Sequence, residues 1–299
     1  MIARRRFRTP AAVAAVATLV LPLLLAACSS GPDRPGPFDQ TVRIGFKTAA
    51  PGMSVQDPNG IFQGFEPRMV AKVMGDAGVK YSSVPLSAQS WQDALLDGNT
   101  NHNGVDLVVA DISDTAEREQ KFDLVGPYLK TPLGALTLAA HPVTVQHQED
   151  LSPLRVCTVA QTTARSFVDN EISPKPNQPI DAKYPDDCLN ALNAGSVDAF
   201  VSDYLVLRGM AVNVKVNGQA PYVMADGRFG KVQTLVAALP PGHTSGCQWL
   251  RSRLDAYVNS SAWVTELRSN FNFGLDVSDV NLRDAFQPLI STSDNLCSK

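Results

Sequence analysis

Hydrophobic and polar positions follow two periods along this chain, and the periods alternate in a regular order. TVRIGF (41–46) is short, apolar and β-branched, which predicts a strand. In GFEPRMVAKVMGDAG (64–78), Phe65, Met69, Val70, Val73, Met74 and Ala77 recur at helical spacing and share one face. Pro67 suits the first turn of that helix and Gly78 its stop. SWQDALLDG predicts a shorter helix, opened by Ser90 with Asp93 three residues on as a capping-box variant. The apolar run VDLVV then predicts a buried strand.

The second half repeats this order. LRVCTVA (154–160) reads as a strand, 165–170 as a helix, IDAKY as a strand, DDCLNALNAG as a helix and VDAFVSD as a strand. VDLVVAD (105–111) and VDAFVSD (197–203) share Val, Asp, Val and Asp at four of seven positions. A helix carrying ALLDG or ALNAG precedes each. The repetition predicts two similar α/β lobes.

The N-terminus has a different pattern. Four arginines in MIARRRFRTP precede an apolar stretch over 11–27, the layout of a secretory signal peptide, short for a stable membrane span and containing Pro22. Its end, Leu25-Ala26-Ala27-Cys28, resembles the bacterial lipobox, which implies cleavage before Cys28 and a diacylglyceryl group on its sulfur. Arg4-Arg5-Arg6-Phe7 also fits a twin-arginine signal, so both export routes stay open. The Gly-, Pro- and Ser-rich segment 28–39 reads as a flexible tether. Removing the leader takes four of the 26 Lys and Arg and none of the 29 Asp and Glu, leaving a net charge of about −7. Nucleic acid is therefore not an expected partner.

Cys157, Cys188, Cys247 and Cys297 remain, an even number in an exported chain. Disulfides are expected, and of the three possible connectivities sequence locality favours Cys157–Cys188 and Cys247–Cys297. With no C-x-x-C pair and no ligand spacing among the four histidines, no metal and no cofactor are expected.

Open α/β sheets bind ligands beyond the carboxyl ends of their strands, where helix N-termini begin. Asp111 and Asp203 both stand at such ends, and the segment ISDTAER after Asp111 opens a helix with Arg118 in its first turns. An α-amino acid needs a guanidinium fork for its carboxylate and an ionised acid for its ammonium. Two plainer readings stand beside this one. Asp203 suits a helix N-cap, and Arg118 suits an i,i+4 pair with Asp114.

IGFKTAAPG (44–52), GFEPRMVAKVM (64–74), DLVVADISDTAERE (106–119), FDLVGPYL (122–129), VCTVAQTT (156–163), LNALNAGSVDAFVSDYLVLRG (189–209) and VQTLVAALPPG (232–242) together carry a resemblance. In order and spacing they resemble the extracytoplasmic solute-binding proteins, family 3, of polar amino acid ABC importers, in particular the glutamate- or glutamine-binding lipoproteins. The resemblance implies a type II periplasmic-binding-protein-like fold, with two α/β lobes joined by two hinge strands at GALTLAA (134–140) and VQTLVAALP (232–240). Lobe one is expected over 40–135 and 238–299, lobe two over 136–237.

By the same resemblance Arg118 holds the α-carboxylate, assisted by Ser113 and a backbone N–H near Thr162 or Thr163, and Asp203 receives the α-ammonium. Lys47 falls where members that bind glutamate or aspartate carry a cation, so the expected ligand is acidic or amide. Four positions depart from the family pattern. Asp111 replaces a small hydroxyl residue and is expected to neutralise Lys47 or Arg118 or to accept from the ammonium. Gln161 replaces a glycine, Arg68 an acid, and Ala50 an aromatic that would stack on the ligand.

The expected function is a monomeric receptor, lipid-anchored to the outer face of the cell membrane, that delivers an amino acid to ABC permease subunits. Two alternatives use the same fold: a lipoprotein that senses amino acids for a membrane partner, and a dehydratase-like enzyme. No G-x-S-x-G or phosphate-binding glycine motif supports catalysis, and the expectation is a non-enzyme.

Overall fold

The structure, a computed structural model, describes residues 35–87, 89–97, 104–289 and 296–297. The leader and Cys28 lie outside the described residues. The chain enters at a turn over 35–39, within the expected tether, yet Phe38 is fully buried and stacks on Trp249 with ring centroids 4.5 Å apart. The folded part therefore begins before Gln40.

β1 (Val42–Lys47) leads through a small antiparallel sheet, β2 (Ala49–Ala50), β3 (Ser54–Gln56) and β4 (Phe62–Gln63), to α1 (Phe65–Asp76). The apolar face of α1 is buried as its spacing predicted, with Phe65, Met69, Val70, Val73 and Met74 inside. Next come β5 (Tyr81–Leu86), α2 (Trp91–Asp97), β6 (Leu107–Ser113), α3 (Ala116–Lys121) and the long β7 (Asp123–Leu138). Ser90 does not make the expected capping box: its hydroxyl turns back to Ser87, accepting from the Ser87 N–H at 3.0 Å.

The second half follows as β8 (Arg155–Val159), α4 (Thr163–Asn170), β9 (Asn177–Ala182), α5 (Pro185–Asn193), β10 (Ala199–Asp203) and α6 (Tyr204–Asn213). β11 (Tyr222–Met224) and β12 (Phe229–Leu239) return the chain, and α7 (Thr244–Val258), α8 (Ser261–Phe271) and α9 (Asp279–Phe286) complete it.

The main sheet runs β5-β1-β6-β12-β7-β10-β8-β9, with β11 on β7. Read from either edge, the order is the same. A first strand (β1 or β8) pairs in parallel with the strands on both sides, and a long antiparallel strand closes each half toward the middle. β7 pairs with β12 along most of its length and then with β10 from Leu133 to Leu136, so these long strands carry the chain from one half to the other.

The sequence repeat has a structural cause. In each copy the first aspartate clamps the start of the neighbouring strand. Asp106 accepts from the Arg43 backbone N–H at 2.7 Å, and Asp198 accepts from the Arg155 backbone N–H at 2.8 Å. The second aspartate of each copy, Asp111 or Asp203, is thereby carried to the opposite end of its strand.

The core centres on Phe65, which lies within 6.5 Å of the rings of Tyr128, Tyr257, Trp263 and Phe271. The Trp263 indole N–H donates to the Tyr128 carbonyl at 2.9 Å, so this cluster contains its own polar partner. Cys157–Cys188 ties β8 to α5, and Cys247–Cys297 ties α7 to the C-terminal segment, the pairing that locality favoured. The first closes a span of 31 residues. Its replacement by two serines is expected to lower the unfolding free energy by about 4 kcal/mol. Urea unfolding of the variant checks this, and an unchanged midpoint would show the loop already ordered in the unfolded chain.

Candidate functional site

The two strand ends that carry Asp111 and Asp203 open onto one cavity of about 300 Å³, a volume at the small end of ligand sites. Lys47, Asp111, Ser113 and Arg118 reach it from the first half, and Thr162, Thr163 and Asp203 from the second. Every ligand-contact residue expected from the sequence therefore lines the same space. Trp91, Leu86, Val159, Phe200 and Val206 supply much of its apolar wall.

Arg118 is placed by α3. Thr115 caps that helix, its hydroxyl accepting from the Arg118 backbone N–H at 3.3 Å. The guanidinium donates to the Ser113 carbonyl at 2.7 Å and lies 5.5 Å from the centre of the Trp91 ring. Among the described residues it forms no ion pair with Asp114, although that spacing suits one. Burial and a hydrogen bond with Glu119 instead push the Asp114 carboxyl up to about 6. Burial also pulls the Arg118 guanidinium below its usual range, against the opposing pull of Asp111 and Asp203. The arginine thus remains a cation, and it lines the cavity.

Asp203 opens α6 but does not cap it, since its side chain makes no cap hydrogen bond. It is buried, and its Oδ1 has no partner among the described residues. Burial pushes the carboxyl up to about 7, with the Asp111 charge adding to the rise and Lys47 and Arg118 opposing it. A buried acceptor without a donor costs about 1–3 kcal/mol.

Lys47 and Asp111 form an ion pair. Of the roles open to Asp111, neutralising Lys47 is the one observed. Asp111 sits in the left-handed region at φ 42°, and its backbone N–H donates to Glu66 Oε1 at 2.6 Å. Glu66 is fully buried in the first turn of α1, where the Tyr128 hydroxyl donates to the same oxygen. Burial, followed by Asp111, raises the Glu66 carboxyl to about 7.

Across the cavity, Gln161 has φ 61°, the left-handed conformation that a glycine adopts without cost, so the turn keeps its shape despite the substitution. Thr162 is used structurally. Its hydroxyl donates to the Val159 carbonyl at 2.7 Å and accepts from the Arg165 backbone N–H at 3.2 Å as the cap of α4. The Thr163 hydroxyl lies 3.4 Å from that of Ser113, joining residues of the two halves directly beside Arg118.

Arg118 and the buried Asp203 thus line one cavity from two topologically matched α/β halves. The sequence profile of the bacterial extracellular solute-binding proteins, family 3, matches residues 42–272. The chain belongs to this family. As a family 3 solute-binding protein it is 28% identical over 221 residues to the glutamate-binding protein GluB of Corynebacterium glutamicum, covering 70% of this chain and 72% of that one. It is 24% identical over 168 residues to the L-cystine-binding protein TcyJ of Escherichia coli, covering 55% of this chain and 59% of that one. Among solved structures, the solute receptor for L-cysteine of Neisseria gonorrhoeae superposes with a TM-score of 0.68 at 21% identity, over 83% of this chain and 96% of the receptor. The periplasmic-binding-protein-like α/β fold is therefore that of amino-acid-binding proteins. The family and these relatives are binding proteins, not enzymes.

Two residues of this solute-binding protein escaped the sequence reading. Glu66 supports Asp111 from behind, and its only local signal was a lone acid beside the apolar face of α1. Trp91 brings an aromatic wall from α2 to a cavity whose Ala50 offers none, and its signal was a tryptophan opening a helix just before a repeat strand.

Proposed function

We propose that this protein is a lipid-anchored extracytoplasmic receptor that binds a polar α-amino acid and hands it to the permease subunits of an ABC importer. The observation that carries this reading is the opposition of Arg118 and Asp203 in one cavity. The guanidinium takes the α-carboxylate, with Ser113, Thr163 and the N-terminus of α4 assisting, and the unpartnered Asp203 oxygen takes the α-ammonium. Relatives named for glutamate and cystine support an amino acid as the ligand class. An acidic or amide side chain is the expectation raised by Lys47.

Lobe one then comprises 40–135 and 238–299, lobe two 136–237, and β7 and β12 act as the hinge. A ligand that touches both lobes favours their closed arrangement. Cys28 carries the lipid in this reading.

Thermal unfolding of the exported, disulfide-bonded protein across the twenty amino acids tests the proposal. A true ligand at a hundred times its Kd is expected to add about 2.7 kcal/mol of stability. If none of the twenty moves the transition, the amino-acid reading of this cavity fails.

A further inference from the structure

Charge around the cavity is balanced in a way that the zwitterion clamp alone does not use. The charged residues that line it are Lys47, Arg118, Asp111, Asp186 and Asp203. Asp186 is exposed, so water and salt screen it. The four others are two cations and two carboxylates. Once Arg118 and Asp203 are assigned to the ligand's backbone groups, Lys47 is the one cation left among the described lining residues, and Asp111 already neutralises it.

That neutralisation is built in. The Asp111 side chain is only 9% exposed, and Lys47 only 18%. The Asp111 main chain is pinned in a left-handed conformation by its N–H bond to Glu66. Glu66 in turn is fully buried and held by Tyr128. The Asp111 backbone is therefore fixed beside Lys47 by a chain of hydrogen bonds that runs into the core through α1 and β7.

We infer that Asp111 sets the charge selectivity of this cavity: the ligand is an amino acid with an uncharged side chain, and dicarboxylic amino acids are excluded. The inference rests on the zwitterion reading above and deepens it. A ligand carboxylate would have to displace Asp111 from Lys47, leaving two buried carboxylates to share one ammonium. A cationic side chain would meet Lys47, and with Asp203 assigned no buried acid among the described lining residues is left unpaired to receive it. A neutral polar group meets neither cost. Lys47 keeps spare N–H donors and Asp111 keeps spare lone pairs, so an amide or hydroxyl is bonded by both. Of the acidic and amide ligands expected from the sequence, the amide is the one that fits.

Calorimetric titration separates the cases, using glutamine, asparagine, serine and cysteine against glutamate and aspartate, and against arginine and lysine. Wild-type protein is expected to bind at least one neutral ligand roughly 100-fold more tightly than any charged one. In Asp111→Asn, Lys47 is released, and the neutral-to-acidic affinity ratio is expected to fall by roughly 100-fold. Lys47→Gln gains no acidic ligand, which distinguishes freed charge from a loosened cavity. Wild-type protein that binds glutamate, aspartate, arginine or lysine as tightly as any neutral amino acid overturns the inference while leaving the clamp intact. A folded Asp111→Asn protein with an unchanged ratio also overturns it. If wild-type protein binds no amino acid at all, the zwitterion reading itself falls and this inference with it.

Discussion

Replacing Arg118 by alanine is expected to weaken amino-acid binding by about 10³- to 10⁴-fold, which removes the ligand-induced thermal shift at any practical concentration. The α-carboxylate enters a small cavity with an apolar wall, where a charge without its partner retains most of its desolvation cost. The acids around Arg118 keep it cationic despite its burial, and its fork suits a carboxylate bidentately. Arg118→Lys keeps the charge and loses the fork, so a partial loss of about 30-fold is expected. The fold itself depends little on this side chain, because its guanidinium bonds to the nearby Ser113 carbonyl at the end of β6 and α3 is capped by Thr115. Calorimetry on both variants, with circular dichroism confirming the fold, measures the effect. Normal affinity in a folded alanine variant would place the carboxylate elsewhere.

Asp203 is expected to make binding strongly dependent on pH. Its carboxyl titrates at about 7 in the ligand-free protein, and only the ionised form pairs with an ammonium. Below that value each binding event must release a proton, so affinity falls by up to tenfold per pH unit, about 50-fold between pH 7 and 5. The stability of the ligand-free protein moves the other way. Asp203 and Glu66 hold their protons more tightly when folded than unfolded, so their contribution is fully present below about 4 and is lost as pH rises through about 7. Acid should therefore stabilise the empty receptor in this window while weakening its ligand. Asp203→Asn is expected to bind about 10²- to 10³-fold more weakly at neutral pH, with a flat profile from 5 to 8. A wild-type affinity that does not vary with pH would show that Asp203 is already ionised in the empty cavity, or that it never meets the ammonium.

Much of the fold was legible because its signals are local. Helical spacing in α1, the β-branched runs of β1, β6 and β8, and the repeated VD…D strands each report a pattern that a few neighbouring residues suffice to specify. The small sheet β2-β3-β4 was not legible, because two- and three-residue strands carry no period of their own. The helices α7 to α9, which cover the core around Trp263, also passed without a prediction.

The site divides in the same way. Residue type and position in the repeat nominated Asp111, Asp203 and Arg118, the resemblance to the solute-binding family added Ser113, Lys47, Thr162 and Thr163, and all of them line one cavity. What each one does there was a different matter. Asp203 had the place of a helix cap, and its burial and its lack of a partner among the described residues are what support the ligand role proposed for it. Lys47 had the place of a free cation, and only the approach of Asp111, 64 residues later, removes that role. Glu66 had no visible role until its oxygen met the backbone of Asp111, 45 residues away.

By itself the sequence determined the α/β repeat and the identity of the charged groups, because periodicity and composition are properties of neighbours along the chain. The tertiary structure alone decided which charges are paired and which are left for a ligand, because Coulomb energy and desolvation depend on distances and burial that arise only when the two halves face each other.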